Sequence, residues 1–244
     1  MSQTHPPFRA DIVGSFLRPA ALKEARLQFQ RGAIDASVLQ KIEDDEIRRV
    51  VEQQEAAGLQ VVTDGEFRRS WWHLDFLWGL DGVNRHVMDA GIAFSGMATR
   101  AEGLRIDDRI GYSSHPMIEH FKFVQANTAR VAKITIPAPS AIYGRPTRQP
   151  VNEDIYPELG PMFEDLGQAY RQAVRAFADA GCRYIQIDEP VFARRPDAAL
   201  EWGIECLERC FHGVAPAVSR IMHMCCGYPS GLNLRDYPKA DRAA

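Results

Sequence analysis

The chain has 244 residues, enough for one large domain or two small ones with a sizeable buried core. Hydrophobic residues make up 45% and charged residues 25%, the balance of an ordinary soluble globular protein. Lys and Arg number 29 against 32 Asp and Glu, a net charge of −3 that argues against nucleic acid or an anionic membrane as partner.

No apolar run approaches the roughly 18 residues of a membrane helix, and residues 1–7 lack the basic and apolar regions of a secretion signal. Cys182, Cys206, Cys210, Cys225 and Cys226 are an odd, sparse set. They predict reduced thiols and a cytoplasmic location instead of a disulfide framework.

In chain order, residues 10–15 read as a first strand. Asp35 is a good N-cap for a helix carrying Val38, Leu39, Ile42, Ile47, Val50 and Val51 on one broad face, with Gly58 as its stop. Residues 59–66 form a second strand. The region 69–130 breaks the rhythm with Trp71, Trp72, Trp78, several glycines and the pairs Asp81-Gly82 and Asp89-Ala90-Gly91, so it reads as an insertion of loops and a hairpin. Its tryptophans either fill core or line a substrate site. Residues 131–137 are another strand. Leu159, Phe163, Leu166, Tyr170, Val174 and Phe177 then recur at steps of three and four up to Gly181, while Pro157 and Pro161 leave the start of that helix open. Strands at 183–190 and 220–225 flank a shorter helix at 200–211.

Strands alternating with helices imply βαβ units and a parallel sheet. Each strand ends in polar residues, the placement expected at the mouth of an α/β barrel. A doubly wound sheet has the same polarity but normally shows a glycine-rich phosphate loop, and no Gly-x-Gly-x-x-Gly occurs. The expected fold is therefore a TIM-type (β/α)8 barrel in a single domain over residues 1–244, incomplete, with about five of the eight βα units.

Four clusters could carry chemistry. His223 and Cys225, two apart on a strand, share a face and offer the nitrogen and sulfur donors zinc prefers, while Cys226 turns the other way. Zinc takes about four donors, and this pair supplies two. Asp188-Glu189-Pro190 closes an apolar strand with carboxylates that either accept backbone amides or pair with Arg, or else grip a substrate ammonium group. Asp188 shares a face with Gln186. Thr63-Asp64-Gly65-Glu66 is a turn or helix cap, or a second acidic strand end. In Val13-Gly14-Ser15 the glycine allows close backbone approach and the serine adds a hydroxyl and an amide; Arg18 follows as a basic candidate.

The set Ile12-Val13-Gly14-Ser15-Phe16, Asp64-Gly65-Glu66, Ile185-Gln186-Ile187-Asp188-Glu189-Pro190 and His223-Met224-Cys225 resembles, in the same order, the C-terminal catalytic barrel of cobalamin-independent methionine synthase and its shorter single-barrel relatives. The likeness runs from Ile12 to about Cys226, and the stretch from Phe29 to Asp35 is also similar. It implies a zinc-dependent methyltransferase in which zinc binds homocysteine through sulfur and the thiolate attacks the methyl of a methylated folate or another donor. It matches His223 and Cys225 to metal ligands, Glu66 and Asp188 to acids holding the homocysteine amino group, and Val13, Gly14 and Ser15 to the cradle of its carboxylate. The family's remaining ligands, a Glu and a Cys, and its catalytic His are expected beyond Ala244. Its folate-stacking Trp has no clear counterpart after Ile136, where Tyr143 and Arg145 lie nearby. Two other readings are another zinc-dependent thiol alkyltransferase, of the epoxide-opening kind, and a non-catalytic fragment that binds a ligand or partner and associates to cover its incomplete barrel. A uroporphyrinogen-decarboxylase-like barrel needs no metal, and His223-Met224-Cys225 speaks against it.

Overall fold

The computed structural model describes residues 8–87, 93–94, 97–98, 101–143, 151–193 and 195–225. Two helices come first, α1 (Ala20–Gln30) and α2 (Ala36–Ala56). Asp35 opens α2 as its spacing predicts, its carboxylate accepting from Val38 N at 3.0 Å and so satisfying one amide the helix leaves unpaired. The buried stripe of α2 holds Ile47, Val50 and Val51, whereas Val38, at the start of the expected face, is 41% exposed because that end projects past the core. Gly58, at φ 87°, turns the chain out of α2 toward β1 (Val61–Val62). The sequence pattern does not predict α1; it buries Leu22 and Ala25, a turn apart, and packs on α2.

Between residues 69 and 130 lie α3 (Leu74–Leu77), an antiparallel hairpin of β2 (Asp81–Val87) and β5 (Glu102–Gly111), the short pair β3 (Ala93–Phe94) and β4 (Met97–Ala98), and α4 (Met117–Ala126). The ladder of β2 with β5 shifts register at Gly82, where φ is 77° and a Cβ would lie 2.4 Å from Arg109 O. Trp71 and Trp78 pack against the edge of the core, as the core-filling reading expects. They are half-buried, and Trp71 Nε1 donates to Glu102 Oε2 at 2.7 Å while Trp78 Nε1 donates to Gly103 O at 3.0 Å, tying the α3 region to the hairpin.

The parallel sheet follows. β6 (Val131–Ala132) and β7 (Ile134–Pro137) meet at Lys133, whose N donates to Val62 O at 2.9 Å. The first pairs with β1, and the second with β8 (Tyr184–Glu189), which also carries β9 (Ser219–Met224) on its other side. The order is therefore β1, β6/β7, β8, β9, all parallel, an arc of an α/β barrel. Helices α5 (Ser140–Tyr143) and α6 (Leu159–Asp179) join β7 to β8. From β8 to β9 run α7 (Pro196–Ala198), a π-helical turn over Ala199–Gly203 and α8 (Ile204–Phe211), so the expected helix at 200–211 begins as a wider turn. Pro161 sits in the first turn of α6, where its missing N–H costs nothing. β8 is buried at every position, as a strand covered on both faces should be. On β9 the odd-numbered residues are half-buried and the even-numbered ones exposed.

One expectation is corrected. Residues 10–15, expected as a strand, join no ladder among the described residues; the parallel pairs are β1 with β6 and β7 with β8 and β9. Side chains hold this segment instead.

The core under the sheet is the stripe of α6, where Met162, Leu166, Ala169, Tyr170, Ala173, Val174 and Phe177 are fully buried. Phe177 meets Phe121 of α4 edge-on at 6.4 Å. Phe177→Ala should therefore cost about 3–5 kcal/mol, read as a lower urea midpoint at unchanged m-value.

Candidate active site

In a parallel sheet the C-terminal ends of all strands gather on one edge, and alternate residues face the interior. The register makes Thr135, Gln186 and Ile221 one inward row, and Pro137, Asp188 and His223 the row nearer the mouth. Polar Lys133 and Thr135, alternating with Ile134 and Ile136, mark this face in the sequence, as Gln186 and Asp188 do between Ile185 and Ile187.

Residues 11–16 cross the interior of this arc. The Ile12 carbonyl accepts from Lys133 Nζ, the Val13 carbonyl from Gln186 Nε2 at 2.7 Å and the Gly14 carbonyl from Thr63 Oγ1 at 2.8 Å. Phe16 N closes the segment by donating to Gly65 O at 3.1 Å. Gly14 is buried at φ 156°, and a Cβ there would stand 2.9 Å from Thr135 Cγ2. Only glycine lets the backbone come this close. Val13 and Ser15, on either side of it, are exposed and open to a ligand.

Glu66 follows β1 in the left-handed region at φ 60°, the one non-glycine residue there among those described. Asp64 holds the turn, its Oδ1 accepting from Glu66 N at 2.8 Å. Arg18 also braces it, Nη2 donating to the carbonyls of Glu66 at 2.9 Å and Arg69 at 2.8 Å. This conformation costs a β-carbon residue about 1–2 kcal/mol, and here it aims the carboxylate inward. Glu66 Oε1 lies 3.4 Å from both Arg69 Nη1 and Thr135 Oγ1, while Arg69 Nη2 donates to Thr135 O at 2.6 Å.

The two acids ending β8 have separate tasks. Glu189 faces away from the interior, taking the Ser140 hydroxyl at 2.7 Å and the amides of Val191 at 2.6 Å and Phe192 at 3.2 Å, which fixes the loop after the strand. Asp188 faces inward, 6% exposed, and accepts from Gln186 Nε2 at 2.6 Å. Burial pushes its carboxyl up to about 7, with the Glu66 charge adding to the rise and Gln186, Arg69 and Lys133 opposing it.

His223 stands in register with Asp188. Burial, then the Lys133 charge, hold its imidazole below the usual range, which favours the neutral, metal-ligating form. Cys225 follows β9 half-buried, its N donating to Glu189 O at 2.9 Å. Cys226 and Arg145 lie outside the described residues.

Residues 8–230 match the family model described as the catalytic domain of the cobalamin-independent synthases. The chain belongs to this family. It is 44% identical over 195 residues to the uncharacterized protein YxjG of Bacillus subtilis, covering 79% of this chain and 51% of that protein. Identity is 28% over 239 residues to a 5-methyltetrahydropteroyltriglutamate–homocysteine methyltransferase of Nitrobacter winogradskyi, covering 90% of this chain and 28% of the relative. A Listeria monocytogenes crystal structure assigned to the vitamin-B12 independent methionine synthases superimposes with TM-score 0.77 at 35% identity, covering 91% of this chain and 66% of that one. The arc of parallel strands is thus of the TIM-barrel type of that family. The chain spans about half the length of the YxjG protein and of its B. subtilis counterpart YxjH.

For zinc the donor set fits in part. Imidazole and thiol are suitable ligands, yet among the described residues no three His, Cys, Asp or Glu side chains form a metal-holding group. His223 and Cys225 bring two of about four donors.

Sequence reasoning missed Arg69, Lys133 and Thr135 as parts of this site. The strand alternation marks Lys133 and Thr135; nothing local marks Arg69, whose partners in β7 are 66 residues away.

Asp188 generates a stability test. A carboxyl near 7 in the fold keeps a proton that the unfolded chain, near 3.8, releases, so its contribution to stability is lost as pH rises from about 4 to 7. Asp188→Asn should be more stable than the parent at pH 8, by on the order of a few kcal/mol, with the gap closing toward pH 4 in urea titrations.

Proposed function

We propose that this chain forms the amino-acid and metal end of a zinc-dependent methyltransferase that alkylates the thiol of homocysteine. The observation that carries the reading is the pair of buried carboxylates, Glu66 and Asp188, facing one interior beside the backbone of residues 13–15 and next to His223. An α-amino acid offers a matching pattern. Its ammonium group suits the two acids, and its carboxylate suits the Val13-Gly14-Ser15 cradle with the Ser15 hydroxyl.

His223 and Cys225 would hold zinc together with further donors. Zinc in that position keeps a substrate sulfur as thiolate near neutral pH, where a free thiol with pKa of about 8.5 is mostly protonated. The protein's own residues bind and orient. Arg69 and Thr135 hold Glu66, and Gln186 holds Asp188. A substrate ammonium beside Asp188 offsets the cost of burying its charge, so binding releases the proton that burial retains. A methylated folate is the methyl donor favoured by the kinship with the Nitrobacter enzyme.

Calorimetric titration with L-homocysteine tests the reading. From pH 6 to 7 affinity should rise by up to about tenfold more than thiol ionisation alone gives, as Asp188 ionises, and this extra rise should end above pH 7. Asp188→Asn should bind more weakly and lose this dependence while retaining zinc; loss of zinc would make Asp188 part of the metal site instead. In competition with a chromophoric chelator, Cys225→Ser should lower zinc affinity more than Cys226→Ser, and equal losses would overturn the assignment of Cys225. Zinc and thiol binding without methionine formation from a methylated folate would favour the epoxide-opening alkyltransferases. Absence of both would favour a binding fragment.

A further inference from the structure

Lys133 sits where β6 meets β7, its side chain wholly enclosed at 0% exposure. An ammonium ion is expensive to bury. Burial presses this one below its usual range, and Asp11 draws it back up. All three of its protons are used: Asp11 Oδ1 accepts at 2.7 Å, Gln186 Oε1 at 2.9 Å, and the Ile12 carbonyl takes the third. The other Asp11 oxygen accepts from Tyr184 OH at 3.2 Å, which pins the start of the segment to β8.

The bond to Gln186 has a directional consequence. The two ends of an amide are alike in shape and opposite in hydrogen bonding. With Oε1 on the ammonium, Nε2 points to Val13 O at 2.7 Å and Asp188 Oδ1 at 2.6 Å. One cation and one amide therefore join two successive carbonyls of the N-terminal segment to the inward carboxylate of β8.

We propose that Lys133 is a positioning residue of the amino-acid pocket, fixing through Gln186 the spacing between the backbone of residues 13–15 and the Asp188 carboxylate. This rests on the reading of the pocket as an α-amino-acid site. An α-amino acid carries its ammonium and carboxylate on one carbon, so a pocket engaging both must hold the two receptors at one separation. A thiol with only one of those groups gains nothing from that spacing. Lys133 is thus a determinant of selectivity for the amino acid, acting from behind Gln186 without touching substrate.

Lys133→Met keeps an unbranched side chain and removes the donors. Parent and variant are titrated with L-homocysteine and with 4-mercaptobutanoate, the same thiol acid without the amino group, and amide exchange is followed across residues 12–16. Homocysteine affinity should fall about tenfold or more. The preference for homocysteine over 4-mercaptobutanoate should shrink, and exchange at residues 12–16 should quicken while α6 stays protected. Gln186→Leu cuts the link at its other end and should reproduce these effects; it carries the test if Lys133→Met does not fold. In the double variant the losses should be less than additive. A variant that melts earlier yet keeps both homocysteine affinity and the preference would reduce Lys133 to a packing role and overturn the proposal. Failure of the parent to bind homocysteine would instead sink the amino-acid reading, and the positioning role with it.

Discussion

The site depends on three backbone carbonyls held by side chains. Ile12, Val13 and Gly14 hand their oxygens in turn to Lys133, Gln186 and Thr63, groups at the β6/β7 junction, on β8 and just after β1. A strand in a ladder takes its position from the backbone of the strands beside it. This segment takes it from three parts of the sheet at once, so a register slip in any of them would move the cradle. Gly14 against Thr135 removes the remaining freedom, since a side chain there has no room.

The same interior concentrates charge where water is scarce. Glu66, Asp188, Arg69 and Lys133 are all buried, and their mutual attraction and hydrogen bonds offset a desolvation cost that none could bear alone. Compensation is uneven. Lys133 meets three acceptors, whereas Asp188 has an amide donor and a neighbouring acid, and its carboxyl is pushed up to about 7. An acid so placed gains most from an incoming cation. Glu66 adds backbone strain at φ 60°, held by Asp64 and Arg18. Strained and desolvated groups persist where surrounding structure over-determines them, and here the sheet and the braced turn do so.

Much of the frame was legible in the sequence because it is periodic. The Asp35 cap and the stripes of α2 and α6 follow the 3.6-residue repeat, and β8 declares itself by apolar residues alternating with Gln186 and Asp188. Where local signals are weak, the reading failed. Helix α1 follows Pro19 without a side-chain cap and buries only Leu22 and Ala25. Residues 10–15 have the composition of a strand, but pairing needs a neighbour that composition does not specify. The tryptophans of 69–130 could not be placed between core and pocket, because their indole N–H partners lie on a hairpin strand 25 and 31 residues away.

By itself the sequence determined the local elements, the inward face of each strand and the order of motifs that marks the family, since all of these are written in near-neighbour spacing. Tertiary structure alone decided which polar groups meet. The partners of Ile12, Val13 and Gly14 lie 121, 173 and 49 residues along the chain. Parallel strands are joined by long crossovers that leave their register open. That register, set by packing on both faces of the sheet, turns a lysine, a glutamine and a threonine into one scaffold for the pocket.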